Sequence, residues 1–438
     1  MSNILVLGAG FVAAPLVKYL IKRNHQITVA SQFLHEAQVI KDEFPEISIK
    51  EVNVTNEDSL GALVEKHDLT VSFIPAQFHI NVAKQCIKYA KNMISASYET
   101  PEMKALQQQA IDSNITILNE IGLDPGIDHL SAMQIIDSIE AEGGTLDSFV
   151  SWCGGLPAPD SNNNPLGYKF AWAPLGVLMA LLNEATYLEN GEIVTVTSEQ
   201  LLKTLQEITI SPELELEGYP NRDSVSYRDI YGISDAKEVL RGTLRYKGFS
   251  DILHCCKELG LLDASPHQIN PNQSWKGLLE YQKSDLSGYL AEQKDSVVEA
   301  LKWLGLLDDT HLMPESDSII NAFCHLLMDK LAYTESEKDM VVLQHQFKST
   351  NSHGENELRE STLILEGDVG GYSAMAKTVG TPAAIAADLL VSGKIRQKGV
   401  ILPMSEEIYT PILKALAEEG ITLLETLKVG SELTERNI

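Results

Sequence analysis

Several things are missing from this sequence, and each absence narrows what the protein can be. Its five cysteines, Cys86, Cys153, Cys255, Cys256 and Cys324, include no Cys-x-x-Cys and no Cys/His run with zinc spacing. An odd, scattered set of this kind reads as free thiols in a reducing compartment, with no metal site. No apolar stretch is read as long enough to cross a bilayer. The apolar run near Met1 is too short for a secretory leader and passes straight into folded-domain pattern. The expectation is a soluble, cytoplasmic protein with no membrane partner. Positive charge is also scarce: 34 Lys+Arg stand against 61 Asp+Glu, a formal net charge of -27. That balance excludes nucleic acid as a partner, because such binding depends on basic patches. It also means that any anionic ligand needs cations gathered locally.

What is present begins with length. A chain of 438 residues exceeds one ordinary core, so two or three domains are expected. Ile4-Leu5-Val6-Leu7 reads as a buried parallel strand, Ala13–Lys22 as a helix with Leu16, Val17, Leu20 and Ile21 on one face, and Gln26–Ala30 as a second strand. Strand and helix then alternate for about 120 residues, the pattern of a doubly wound α/β sheet. The predicted organisation is a dinucleotide-binding domain over 1–125, completed by about 385–438. A second α/β domain covers 126–384, with a helical insertion at about 250–331. Leu259–Leu262 and Leu304–Leu307 read as helix ends closed by glycine. Thr350–Glu357 reads as a hairpin tip.

Three constellations carry chemistry. The first is Gly8-Ala9-Gly10-Phe11-Val12-Ala13, a G-x-G-x-x-A between a predicted strand and a helix. The glycines turn tightly and let backbone N–H groups reach a pyrophosphate, while the helix N-terminus faces its charge. At the end of the next strand, an acid would select NAD and an arginine NADP. Ala30-Ser31-Gln32 supplies neither. Ser31 and Gln32 can donate to a phosphate, so the reading leans to NADP with NAD left open.

The second constellation is Glu120-Ile121-Gly122-Leu123-Asp124-Pro125-Gly126-Ile127-Asp128-His129, just beyond a predicted strand, where ligands of open parallel sheets sit. Asp-Pro-Gly is also plain turn chemistry, and Asp128 and His129 read as the first turn of the following helix. The third is a cation cluster: Arg222, Arg228, Arg241, Arg245 and Lys247. Arginine forks grip carboxylates through paired hydrogen bonds. Arg228 and Arg241 read instead as surface ion-pair partners of Asp223, Asp229 and Asp235.

At these residues the sequence resembles the L-glutamate-forming saccharopine dehydrogenase family, also called saccharopine reductases. These stand alone in fungi and form the C-terminal half of the bifunctional aminoadipate-semialdehyde synthase of animals and plants. The resemblance rests on ASYETPEM (Ala96–Met103), EIGLDPGIDHL, WCGGLPAPDSNNNPLGYKFAW (Trp152–Trp172), LEGYPNRDS (Leu216–Ser224), LRGTLRYKG and GYSAMAKTVGTPAA. It implies an oxidoreductase of lysine metabolism that interconverts saccharopine with 2-aminoadipate 6-semialdehyde plus L-glutamate by hydride transfer. It also implies a Rossmann fold with a second substrate and dimerisation domain, in a homodimer. By the same resemblance, the dinucleotide lies against Ala9, Gly10, Phe11 and Val12, with Ser31 and Gln32 at the adenosine ribose. Ile74, Ser97 and Asp124 line the nicotinamide end. Substrate meets Ser97, Tyr98, Asp124, Arg222, Thr243, Leu244 and Arg245. Asp124, Tyr98 and Cys153 are all candidates for the general base. A relative acting on a polyamine-type substrate, or a non-catalytic NADP-binding sensor, is the alternative.

Overall fold

The computed structural model describes residues 1–266 and 268–430. Six short strands, β1 Asn3–Leu7, β2 Gln26–Ser31, β3 Ser48–Glu51, β4 Leu69–Ser72, β5 Asn92–Ser95 and β6 Thr116–Leu118, build the first sheet. Between them run the helices α1 Ala13–Lys22, α2 Leu34–Glu43, α3 Glu57–Glu65 and α4 His79–Lys88. Residues Ile4 to Leu7 are wholly buried, as a strand covered on both faces requires. The spatial order is β3-β2-β1-β4-β5-β6, followed by a seventh strand from far along the chain. Every pairing is parallel. The order reverses between β1 and β4, and a ligand crevice opens at such a switch point.

The second sheet is mixed. Its strands are β7 Thr145–Pro157, β8 Ala185–Glu189, β9 Glu192–Val196, β10 Gln206–Ile208, β11 Leu216–Pro220, β12 Glu238–Tyr246, β13 Asp339–Thr350 and β14 Asn356–Glu366. The last two form the hairpin read from the sequence. β12 and β7 are parallel neighbours, and the other pairings are antiparallel. Helices from Phe249–Glu258 to Ile319–Lys330 pack around Trp275 and Phe323 beside this sheet. Two of them end at Gly260 and Gly305, whose φ values of +74° and +78° are the left-handed closure expected there.

The tail departs from the predicted boundary. β15 Gly399–Ile401 is the seventh strand of the first sheet and pairs with β6. The final strand, β16 Leu424–Val429, pairs instead with β14 on the second sheet. Residues 385–438 therefore do not return to the first domain as a unit, and 431–438 lie outside the described residues. A second correction concerns apolar length. Helix Ala374–Val391 has 18 residues and is long and apolar enough to cross a membrane. It is 78% buried inside the fold, against α1. Gly380 makes that contact possible, since a Cβ there would lie 2.5 Å from the Val12 carbonyl oxygen.

Candidate functional site at the sheet junction

The glycine turn leaves β1 at the switch point. Gly8 has φ +97°, its N–H donates to the Ala30 carbonyl at 2.8 Å, and a Cβ on it would stand 2.6 Å from the Phe73 carbonyl oxygen. The protein's own packing demands that glycine. Gly10 differs, for a Cβ there meets no atom within 4 Å. Phe11 is 72% exposed, Ala9 and Val12 are partly covered, and Ile74 is half-buried across the crevice after β4. α1 begins with no side-chain cap and no acid in its first turn. Apart from the Ala13 N–H, which donates to the Gly10 carbonyl at 3.1 Å, the N-terminal amides of α1 meet no side chain among the described residues, so the turn fits a dinucleotide pyrophosphate.

The β2–α2 corner adds an acid to the residues read for the ribose site. Gln32 is exposed and Ser31 is buried. The Ser31 hydroxyl donates to Glu36 at 2.8 Å and accepts the Phe33 N–H at 3.2 Å. An acid is thus present beside Ser31, delivered by the first turn of α2 rather than by the strand end.

The residues beyond β5 and β6 meet the second sheet. Tyr98 donates its hydroxyl to Asp124 Oδ1 at 2.8 Å. Gly126 has φ +148° and would place a Cβ 2.0 Å from the Gly122 carbonyl oxygen, so only glycine closes this turn. Asp128 then accepts from the N–H groups of Gly126 and His129 at 2.5 and 2.8 Å. Arg241 reaches across from β12 and places Nη2 2.6 Å from both Asp124 and Asp128. This overturns the surface assignment of Arg241, which is buried and tied to acids more than 100 residues away. Burial opposes its charge, yet Tyr98, Asp124, Tyr227 and Asp128 hold its pKa above the usual arginine value. Behind it, His129 bonds Glu120 at 2.8 Å and the Tyr231 hydroxyl at 2.7 Å. Asp128 and His129 do occupy the first turn of helix Ile127–Ala141, but in the core.

Two family models match most of the chain. Residues 4–118 fit the saccharopine dehydrogenase NADP binding domain, and residues 122–421 fit the saccharopine dehydrogenase C-terminal domain. The chain belongs to the saccharopine dehydrogenase family. It is 40% identical to saccharopine dehydrogenase [NADP(+), L-glutamate-forming] of Saccharomyces cerevisiae, over 97% of this chain and 99% of that protein. The Schizosaccharomyces pombe enzyme of the same name is 37% identical over 98% and 99%. A solved structure of apo, histidine-tagged saccharopine dehydrogenase (L-Glu forming) from S. cerevisiae superposes with a TM-score of 0.90 at 38% identity, covering 98% of this chain and 100% of that one. Mitochondrial alpha-aminoadipic semialdehyde synthase of Rattus norvegicus is 44% identical over 96% of this chain but only 47% of that protein. The chain thus spans about half the length of these longer relatives.

Within this family fold, period-two alternation along β12 sets Arg241, Thr243 and Arg245 on one face. Leu244 is out of phase, fully buried in the apolar core, and offers only its backbone. Cys153 pairs with Thr243 in the ladder. Burial, then Asp124 and Asp128, push its thiol well above the usual cysteine range. Tyr98 is pushed up likewise, by burial and then by Asp124. Arg222 is exposed, has φ +52°, and holds its guanidinium 5.7 Å from the Tyr98 ring centre. Arg245 is buried between the rings of Tyr168 and Phe249, at 5.0 and 5.2 Å. Its Nη1 donates to the Leu244 carbonyl and its Nε has no partner among the described residues. The ladder neighbour Glu217 is turned away to the N–H groups of Gly248 and Ser250. Arg228 donates to the Ser234 carbonyl rather than to an acid.

Sequence reasoning missed Glu36, Arg241 and His79. His79 was findable, since it follows the end of a first-sheet strand, where ligands gather. A cavity of about 280 Å³ opens beside it, walled by His79, Ile80, Tyr98, Thr100, Met103 and Asn119.

Proposed function

We propose that the chain interconverts saccharopine with L-glutamate and 2-aminoadipate 6-semialdehyde in lysine metabolism, with NADP as the preferred coenzyme. The observation that carries this reading is Arg245, a buried guanidinium with no carboxylate partner among the described residues, on the face it shares with Arg241. An unpaired buried cation is costly unless a ligand supplies the anion. Saccharopine has three carboxylates, and Arg222, over the Tyr98 ring, and Arg245, on the Arg241 face of β12, carry no ion pair among the described residues and are the arginines offered to receive them. A polyamine-type ligand would meet two cations there, which disfavours that alternative.

NADP would lie against Ala9, Gly10, Phe11 and Val12, with Ser31 and Gln32 at the ribose and Ile74, Ser97 and Asp124 near the nicotinamide. When bound, it supplies the hydride acceptor. Arg241 satisfies Asp124 as a carboxylate, and Asp124 in turn orients the Tyr98 hydroxyl. Tyr98 and Asp124 then act as one hydrogen-bonded unit that carries a proton to or from the substrate nitrogen. Cys153, its thiol raised by burial and nearby acids, stays protonated and serves as a neutral wall. We assign the protein to the cytoplasm as a homodimer, to be checked by cell fractionation and by its mass in solution.

The test is saccharopine oxidation measured with NADP and NAD side by side. Arg245→Ala or Arg222→Ala should raise the saccharopine KM by at least about 30-fold, because each strands a desolvated carboxylate. NADPH affinity should hardly change, and Arg228→Ala should be silent. An Arg228→Ala as damaging as the others, or three silent variants, would remove the proposed carboxylate site.

A further inference from the structure

His79 takes no part in the chemistry above, yet it is buried to 4% exposure as the first residue of α4. Its Nδ1 lies 2.8 Å from the hydroxyl of Ser72, the last residue of β4. Its Nε2 lies 2.8 Å from the hydroxyl of Ser97 and 3.4 Å from that of Ser95. The Ser95 oxygen also accepts the Ser97 N–H at 3.1 Å. Burial lowers the imidazole pKa to about 4, so at neutral pH the ring carries one N–H. A neutral imidazole donates at one nitrogen and accepts at the other, so the role of one hydroxyl dictates the role of the next.

The string Ser72–His79–Ser97 has two directions. In one, Nδ1–H donates to Ser72 and Ser97 donates to Nε2. The Ser72 hydrogen is then buried with no acceptor, since Ser72 is 1% exposed and its hydroxyl meets only His79 among the described residues. In the other, Ser72 donates to Nδ1 and Nε2–H donates to Ser97. The hydrogens of both short contacts are then used, and the Ser97 hydrogen is left free on a half-buried residue. The Ser95 hydroxyl, 3.4 Å from Nε2, gains no acceptor in either direction and does not separate them. An orphaned buried donor is the costlier outcome, so the second direction prevails.

We propose that His79 is a positioning residue, which fixes Ser97 as a hydrogen-bond donor toward an oxygen acceptor of the bound ligand. Two oxygens share that chemistry, the carboxamide of nicotinamide and a carboxylate of the substrate. The proposal rests on the reading above that Ser97 lines the ligand. The order of the donors, Ser72 to His79 to Ser97, is what the geometry adds. With the direction set before binding, the ligand does not have to reorient the hydroxyl.

The experiment compares His79→Asn and His79→Gln, each with Ser97 intact and in the Ser97→Ala background. An asparagine amide reaches the place of Nδ1 and keeps only the Ser72 bond. A glutamine amide reaches the place of Nε2 and restores the bond to Ser97. With Ser97 intact, His79→Asn should lower kcat/KM for saccharopine oxidation roughly tenfold, and His79→Gln less than about threefold. In the Ser97→Ala background, His79→Asn should add less than about a further twofold. A loss in saccharopine KM would assign the acceptor to the substrate, and a loss in NADPH affinity, read by fluorescence titration, to the coenzyme. Ser72→Ala, which scarcely alters core volume, gives a second route should His79→Asn fail to fold. It should cost roughly threefold with Ser97 present and nothing without it. Equal losses in both backgrounds, or asparagine and glutamine variants alike, would overturn the relay alone. A silent Ser97→Ala would overturn both the relay and the placement of Ser97.

Discussion

Gly8 and Gly10 stand two residues apart in one turn and answer to different constraints. Gly8 is held by its own fold, through φ +97° and the Phe73 carbonyl 2.6 Å from where a Cβ would be. Gly10 faces open space, and only a ligand would object to a side chain there. Gly8→Ala should therefore destabilise the protein by about 1–3 kcal/mol. Gly10→Val should leave the melting temperature nearly unchanged and abolish NADPH binding. Thermal unfolding and fluorescence titration on the same two variants check both halves. Normal NADPH affinity in Gly10→Val would displace the coenzyme from this turn. The motif shows both glycines, but which of them the chain requires and which the ligand requires needs the position of Phe73. Arg241 teaches the same lesson. Its neighbours in sequence suggested surface pairs, whereas its partners, Asp124 and Asp128, arrive from the other sheet.

At the scale of elements, the two C-terminal helices show how local rules mislead. Proline is favoured at the first position of a helix, a rule that would start helices at Pro382 and Pro411, but both sit inside helices, Ala374–Val391 and Glu406–Glu418. Ser373 caps the first of these by accepting the Ala376 N–H, eight residues earlier than the proline suggested. The β2–α2 corner is the other case. The strand end carries no acid, but one turn of α2 returns Glu36 to Ser31. That carboxylate would oppose the ribose phosphate of NADP. Glu36→Gln should shift coenzyme preference toward NADP by roughly tenfold, and Gln32→Arg by a similar factor. The ratio of kcat/KM for NADP and NAD reads the shift. If neither variant moves that ratio, the adenosine ribose does not sit at this corner.

At the scale of the whole molecule, burial keeps His79 and His345 neutral in separate places. Burial lowers His79 to about 4. It also lowers His345, which packs on Phe149 and Phe347 near Arg241, to about 3. An unfolded histidine titrates near 6.5. Below that pH the unfolded chain takes up protons that the folded chain refuses, so folding stability falls as pH drops from about 6.5 toward 4. Each such histidine contributes a slope on the order of 1.4 kcal/mol per pH unit in that window. Urea midpoints measured from pH 7 to 4.5 should show the decline, and His345→Gln should make it shallower. A variant with the same slope as the parent protein would mean that His345 is charged in the folded state.

The sequence by itself determined the parts set by neighbours along the chain: the parallel strand-helix alternation, the glycine turn at residue 8, the β13–β14 hairpin, and the family through its long motifs. Each depends on local periodicity or on backbone conformations that few residues tolerate. Only the tertiary structure decided the fate of the charged groups. Whether an arginine stays free for a ligand, like Arg245, or is consumed by the fold, like Arg241, depends on which acids come within hydrogen-bond reach. Those acids are distant in sequence, and burial decides how strongly each pair is felt. The same holds for the tail, where β15 and β16 join different sheets according to which strand edge lies open.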